Sequence, residues 1–363
     1  MTLTRRERLR RCYCHEETDR PGVYSRDGFP ADDPTYDRLK AYLAAHAELK
    51  AGWGPPGALN PPAYESRTEP YSDDFVRRVD VLHTPKGPLK RTHLVSTTGQ
   101  PGMHETFFLN SREDAEKLLS LPPAEWGGDV SGYFEADNGI GDSGIAHVGL
   151  GSNPGGYTAE LFGSMNFALM CATDRDILHA LCERHMNAAL SRVKWLLSKG
   201  VRGFFALSGQ EFIAPRLHGP RDFRDFNVRY DKPILDLIHD AGGRVHIHCH
   251  GALKRVFEGF LEVGTDVLHP VEPPPMGDIT PAEAKQAARG RLCIEGNIQI
   301  ADMYESTPED VREQTLALIE TVFDDRRDLI ISPSASPYIR GAGEKCFPQY
   351  KAMVDAVTNW PGG

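Results

Sequence analysis

The stretch with the clearest chemical content runs Arg-Val-His-Ile-His-Cys-His-Gly, from Arg244 to Gly251. His246, His248 and His250 alternate with Val245, Ile247 and Cys249. Successive side chains of a strand point to opposite faces, so a strand here puts the three imidazoles on one face and Cys249 on the other, in the core. Neutral imidazole is a good ligand for zinc and related ions, and neighbours on one strand face come close enough to share a cation. A half-buried strand whose histidines bond backbone carbonyls is the bland alternative. Three on one face, ending in a glycine, favour a metal or catalytic role.

The elements that would hold this stretch follow from hydrophobic period. Strands are predicted at 145–150, 201–207, 267–270, 291–295 and 329–332. Helices are predicted at 173–199, 232–241, 252–263, 281–288 and 307–322, with Thr173 capping the first and Gly242-Gly243 closing the second. Strands and helices alternating at this cadence mean a parallel sheet, and the expected fold is α/β, a (β/α)8 TIM barrel. The Gly-x-Gly-x-x-Gly from Gly139 to Gly144 leads into a strand rather than a helix, so a dinucleotide-binding fold has little support. Upstream, helices are predicted at 2–18 and 35–49, with Pro- and Gly-rich loops at 20–33 and 52–70. Two strands at 78–82 and 89–96 and a helix capped by Ser111 follow. The expected division is an N-terminal helical and loop extension over 1–70 and a barrel over 71–363.

Chemistry in such a barrel gathers where strands end and loops begin. Ser208, Gln210 and Glu211 follow one predicted strand, His248 and His250 another, Glu272 a third, Glu295 and Asn297 a fourth, and Ser332, Ser334, Ser336 and Tyr338 the last. Glu211, Asn297 and Tyr338 are the catalytic candidates, and Gln210, Ser336 and Asp137 are candidate substrate contacts. Asp137 belongs to a Gly-rich region over 130–166 that reads as a lid or binding loop. His269 is read as packing, because it alternates onto the other face from Glu272.

Composition bounds the function classes. The chain has 363 residues, 40% hydrophobic and 25% charged, with no apolar run long enough to span a membrane. A formal charge of −10 argues against a nucleic-acid-binding surface. Seven scattered cysteines and a charged start lacking an apolar run point to a reducing compartment, and the expected location is cytoplasmic. Cys12-Tyr13-Cys14 lacks the usual zinc-knuckle spacing.

Several of these stretches, taken in order, resemble the uroporphyrinogen decarboxylase superfamily. They are Arg5-Arg-Glu-Arg8, Asp19-Arg20-Pro21, His248-Cys-His250-Gly251, Gly264-Thr-Asp266, Glu272, Gly296-Asn297-Ile298, Thr307-Pro-Glu-Asp-Val311 and Ile331-Ser-Pro333. The resemblance implies a single (β/α)8 barrel with an amino-terminal helical extension. The chain is more similar to the branch that uses zinc and moves methyl groups to or from a corrinoid than to true uroporphyrinogen decarboxylase, whose Gln-Ala-Gly-Arg run it lacks. In that branch His248 matches a metal ligand, His250 stands where a cysteine would, and Ser332-Pro-Ser334-Ala-Ser336 has no thiol at the third position. Glu272 sits where the branch has an acidic residue, and the prolines after it would hold its loop rigid.

The resemblance implies a zinc site on His248, His250 and Glu272, with Cys346, His246 or water as a fourth ligand. Such a donor set suits activation of an oxygen substrate better than of a thiol. The expected function is a metal-dependent methyltransferase or demethylase acting on a small methoxy or otherwise methylated substrate. Its partner would be a corrinoid (cobalamin), carried by a protein or free, and a homodimer is compatible with it. The alternative is a metal-free decarboxylase of a tetrapyrrole or smaller carboxylate, with Arg216 and Arg26 clamping the anion. A third reading is a non-catalytic small-molecule-binding barrel.

Overall fold

A computed structural model describes residues 2–98 and 101–361. Eight parallel strands form one curled sheet in the order Gly22–Val23, Leu329–Ile331, Cys293–Glu295, Val267–His269, Arg244–His248, Phe204–Ser208, Gly144–Ser152 and Leu49–Trp53. One backbone bond, from Glu48 N–H to the Val23 carbonyl at 3.0 Å, brings its two end strands together. The architecture is TIM-barrel-like. Alternation sorts the side chains: Ile145, Val267, Cys293 and Ile330 pack in one cluster inside the curl, while Ile247, Leu268, Ile294 and Ile331 join the main core under the helices.

Helix ends are fixed by local chemistry. Thr280 and Glu283 form a reciprocal capping box ahead of the helix Pro281–Ala288, and Thr307 with Asp310 does the same for Pro308–Val322. Ser111 caps Arg112–Leu119 as expected. Thr173, in contrast, belongs to the preceding helix Ser164–Thr173, and the long helix Arg175–Ser198 starts after Asp174 with no side-chain cap.

The region before residue 71 departs from the sequence reading. Its helices, Arg5–Tyr13 and Asp37–His46, are shorter than expected, and two barrel strands lie among the loops. Gly22–Val23 is only two residues long and Leu49–Trp53 carries a buried lysine, so neither shows a clean apolar period. The helix Arg5–Tyr13 closes the amino-terminal end of the sheet, with Leu9, Cys12 and Tyr13 against Ile145, Val267 and Ile330. Arg8 holds Asp19 through two bonds of 2.7 and 2.8 Å and Glu48 at 2.6 Å, and Arg20 reaches Glu48 at 2.8 Å. Glu48 also accepts the Val23 N–H at 2.7 Å, so this network pins both end strands. Outside the barrel, strands Tyr64–Pro70, Phe75–Thr84, Gly87–Ser96 and Met103–Thr106 form an antiparallel sheet. Tyr64–Pro70 is exposed on both faces and lacks an apolar alternation to betray it.

The Gly-rich stretch over 130–166, expected as a lid, is mostly helical: Ser131–Ile140, Pro154–Phe162 and the start of Ser164–Thr173, around the strand Gly144–Ser152. Its glycines serve close packing. A Cβ on Gly156 would stand 2.3 Å from the Gly209 carbonyl, and one on Gly155 would stand 2.4 Å from that of Phe226. Gly156→Ala is therefore expected to destabilise the fold by about 1–3 kcal/mol in urea denaturation; an unchanged midpoint would contradict this packing role.

Candidate functional site

Parallel pairing sets Ser208, His248 and His269 side by side on adjacent strands, and registered residues share a face. His269 therefore lies inside the curl with His248, not in outward packing. Comparing it with Glu272 misleads because the strand ends at His269, and alternation does not continue through the prolines beyond. His250 is likewise past the end of its strand, which stops at His248.

The histidine rings form a directed chain. The His248 and His269 rings lie nearly parallel, inclined at 16° with centroids 5.1 Å apart, and meet through their Nδ1 atoms. Burial pushes His269 far below the usual imidazole range, so it is neutral. Its Nε2 lies 2.9 Å from the Pro333 carbonyl, which can only accept, so Nε2 carries the hydrogen and Nδ1 the lone pair. That lone pair accepts from Arg26 Nη1 at 2.9 Å and faces His248 Nδ1, also at 2.9 Å. Two ring nitrogens this close need a hydrogen between them. His248 must supply it, which leaves His248 Nε2 bare. Burial, helped by Arg26, brings the His248 value down to about 3, so this ring too is neutral at pH 7.

His250 repeats the arrangement at the mouth. Its ring stands 4.7 Å from that of His248 at 88°, and its Nδ1 lies 3.1 Å from Glu272 Oε2. Burial would raise the Glu272 carboxyl, but the bonds from His250 and from Gly251 N–H at 3.2 Å hold it below the usual range. The carboxylate can only accept, so the hydrogen between them sits on His250 Nδ1 and Nε2 is the atom turned away from Glu272. Glu272 consequently stands behind the His250 ring instead of beside the bare nitrogens. His248, His250 and Glu272 are not among the described triads of ligand-type side chains whose donor atoms lie within 4.8 Å of one another.

Below these rings lies a charged layer. Lys50 forms a buried ion pair with Glu295, and its ammonium sits 4.6 Å from the Tyr24 ring centre. Burial alone would raise Glu295, but Lys50 and then His246 more than offset it, so the carboxylate stays ionised. His246 Nε2 is 3.7 Å from Glu295 Oε1, and the His147 ring packs edge-on to His246 at 5.4 Å. A cavity of about 400 Å³ opens above, lined by Tyr24, Arg26, Lys50, His147, Ser208 and His248 among others. Lys50 and His147 are not singled out in the sequence, and His269 reads there as packing. Their signal is a lone basic residue at the centre of an otherwise apolar strand, as in Leu49-Lys-Ala and Ile145-Ala-His-Val.

The remaining candidates scatter. Asn297 is buried at the end of its strand with neither amide atom bonded. Glu211 is half-buried beside the strand end, its carboxyl raised by burial and its Oε2 accepting from Gly209 N–H at 3.1 Å. Gln210 turns away from the cavity and donates to the buried Asp231 at 2.9 Å, together with Asn153. Ser336 accepts from Gly28 N–H at 3.3 Å, and Tyr338 is exposed next to Tyr304. Arg216 lies on an exposed loop. Asp137 pairs with Arg6 at 2.9 Å on the helix that precedes the Gly144–Ser152 strand, at the end opposite the mouth. It is held there because its helix and turn feed the strand's first residue. Cys346 is buried in the helix Gly343–Thr358, its thiol donating to the Gly343 carbonyl at 3.4 Å, so it is no fourth ligand to the histidines. His246 faces Glu295, one layer below His248.

Residues 148–360 match the family model described as uroporphyrinogen decarboxylase (URO-D). The chain belongs to the URO-D family. Among solved structures, a methyltransferase from Methanosarcina mazei aligns with a TM-score of 0.63 at 12% identity, over 99% of both chains. A B12-independent methionine synthase from Shewanella sp. W3-18-1 aligns at 0.47 and 10% identity, over 66% of this chain and 70% of that one. No curated protein matches. The first likeness shows that the whole chain, accessory strands included, shares its fold with the Methanosarcina protein. No helix is long and apolar enough to cross a membrane among the described residues.

Two outcomes test this geometry. Lys50→Met leaves Glu295 as a buried unpaired charge and is expected to cost about 3–5 kcal/mol in urea denaturation, part of it recovered by adding Glu295→Met. Failure of the second change to recover any stability would show that the pair is not the reason. Asp231 is pushed by burial from 3.8 up to about 7, so the native state holds a proton that the unfolded chain has released. Its contribution is full below about pH 4 and is lost as pH rises through about 7. Asp231→Asn should flatten stability over that window, and an undiminished slope in the variant would place the titration elsewhere.

Proposed function

We propose that this chain is a metal-dependent methyltransferase or demethylase, with His248 and His250 holding a zinc-type ion. The observation that carries this reading is the pair of neighbouring imidazoles whose Nδ1 atoms are tied down, by His269 and Glu272, so that Nε2 is the atom each ring has left for a ligand. Metal-binding histidines are oriented in this way, by a carboxylate or another acceptor behind the ring. Two nitrogens, a carboxylate behind one of them and no nearby thiolate fit a harder, more Lewis-acidic ion than a thiolate set would. Bound there, the ion would polarise an ether or hydroxyl oxygen of a methylated substrate.

The chain's own groups set the substrate. Arg26 brings a guanidinium to the cavity wall that suits an anionic or strongly polar substituent, while the Lys50 charge is met by Glu295. About 400 Å³ is at the small end of ligand pockets and favours a compact methoxylated molecule over a tetrapyrrole. The corrinoid partner rests on the sequence's resemblance to the corrinoid-using branch. The Arg26 guanidinium also favours the second reading, metal-free decarboxylation of a small carboxylate.

Elemental analysis separates the two. His248→Ala is expected to hold about one zinc per chain fewer than the wild type, and the affinity for that ion should fall about 10–100-fold in His269→Ala. Demethylation of small methoxylated compounds by the loaded enzyme, measured as methylation of added cob(I)alamin, should vanish on chelation. Full zinc retention in His248→Ala, or turnover that survives chelation, would sink the metal reading.

A further inference from the structure

Away from the histidine chain, a second group of ligand-type side chains comes together. Cys171 near the end of the Ser164–Thr173 helix, His218 in the loop before residue 220, and Asp222 just after it each bring one donor atom within 4.8 Å of the others. His218 is 3% exposed; its Nδ1 lies 3.2 Å from Asp222 Oδ2, while its Nε2 is buried with no partner. An unpaired buried nitrogen is costly and calls for something to fill the place opposite it. The Phe167 ring packs against His218 at 5.4 Å between centroids, inclined at 69°.

We propose that Cys171, His218 and Asp222 form a binding site for a soft divalent cation of the zinc type. Sulfur, imidazole nitrogen and carboxylate oxygen are the donors such an ion takes, and three protein ligands leave one tetrahedral position for water. When the metal–sulfur bond forms, the Cys171 S–H bond breaks and its proton goes to solvent; nothing is oxidised or reduced. Burial and the Asp222 charge favour the protonated Cys171 thiol in the empty site, so the ion must displace that proton. Arg175 donates to the other Asp222 oxygen, Oδ1, at 2.8 Å, and Asp225 at 2.5 Å from Arg175 balances that cation. Arg221, 3.7 Å from Asp225, is largely exposed.

The ion would pin a functional loop. His218 and Arg216 line a cleft of about 390 Å³ together with Arg255 and Asp278. The Pro215 carbonyl comes to 4.0 Å from where a Cβ on Gly251 would stand, so this loop abuts the residue after His250. The site is independent of the proposed function, because it shares no ligand with the histidine chain.

Cobalt(II) is the probe, since among the described residues this is the cluster that combines a thiol with other ligands, and a cobalt–thiolate bond has an intense near-ultraviolet charge-transfer band. Titration of the metal-free full chain is expected to give that band in the wild type and equally in His248→Ala. It should be lost in Cys171→Ser and in His218→Gln, with circular dichroism unchanged. No band in the wild type at saturating cobalt, or an undiminished band in Cys171→Ser, would overturn the site. Should a variant fail to fold, alkylation of Cys171 in the wild type, mapped by mass spectrometry with and without Zn2+, decides. Protection by zinc supports the site, and an equal rate refutes it.

Discussion

The hydrogen bond from His269 Nε2 to the Pro333 carbonyl sets the direction of everything above it. A carbonyl has no proton to give, so His269 has one possible tautomer while it stays neutral, and burial keeps it neutral. The single lone pair left on Nδ1 then dictates the tautomer of His248. Pro333 belongs to the segment following the last barrel strand, and His269 and His248 end two others. The protonation pattern of the site is thus written by the relative positions of three strand ends, which only a closed-up parallel sheet holds this rigidly.

Placing so many basic groups inside a sheet requires counter-charges at fixed depths. Glu295 answers Lys50 and His246 in the middle, and Glu272 answers His250 at the mouth. Glu48 answers Arg8 and Arg20 at the floor. The floor network also explains why the opening motif belongs to the fold and not to the chemistry. Arg8, Asp19 and Arg20 converge on the residue that joins the two end strands, so losing one would loosen the curl before it touched the cavity.

How much of this was legible in the sequence depended on whether a residue's surroundings were local. The later βα alternation was readable because capping boxes at Thr280 and Thr307 and strong apolar periods are written within a few residues. That His248 and His250 come together at a strand end was readable for the same reason. His269 was not, because its place is decided by pairing with a strand twenty residues away and not by alternation past a proline. Glu272 was found, but its role behind the His250 ring depends on which ring nitrogen it meets. Gln210 and Asp137 looked like loop polar residues, and each is taken by a partner far along the chain, Asp231 and Arg6. Cys171, His218 and Asp222 span more than fifty residues and show no motif at all.

The most direct test of the tautomer chain is the nitrogen-15 spectrum of the histidine rings in metal-free protein at neutral pH. His248 is expected as the Nδ1–H tautomer, with an unprotonated Nε2, while His269 shows the opposite form with its hydrogen on Nε2. A His248 ring carrying its hydrogen on Nε2, or a doubly protonated His269, would mean that no bare nitrogen is presented to the cavity and that the chain does not organise this site.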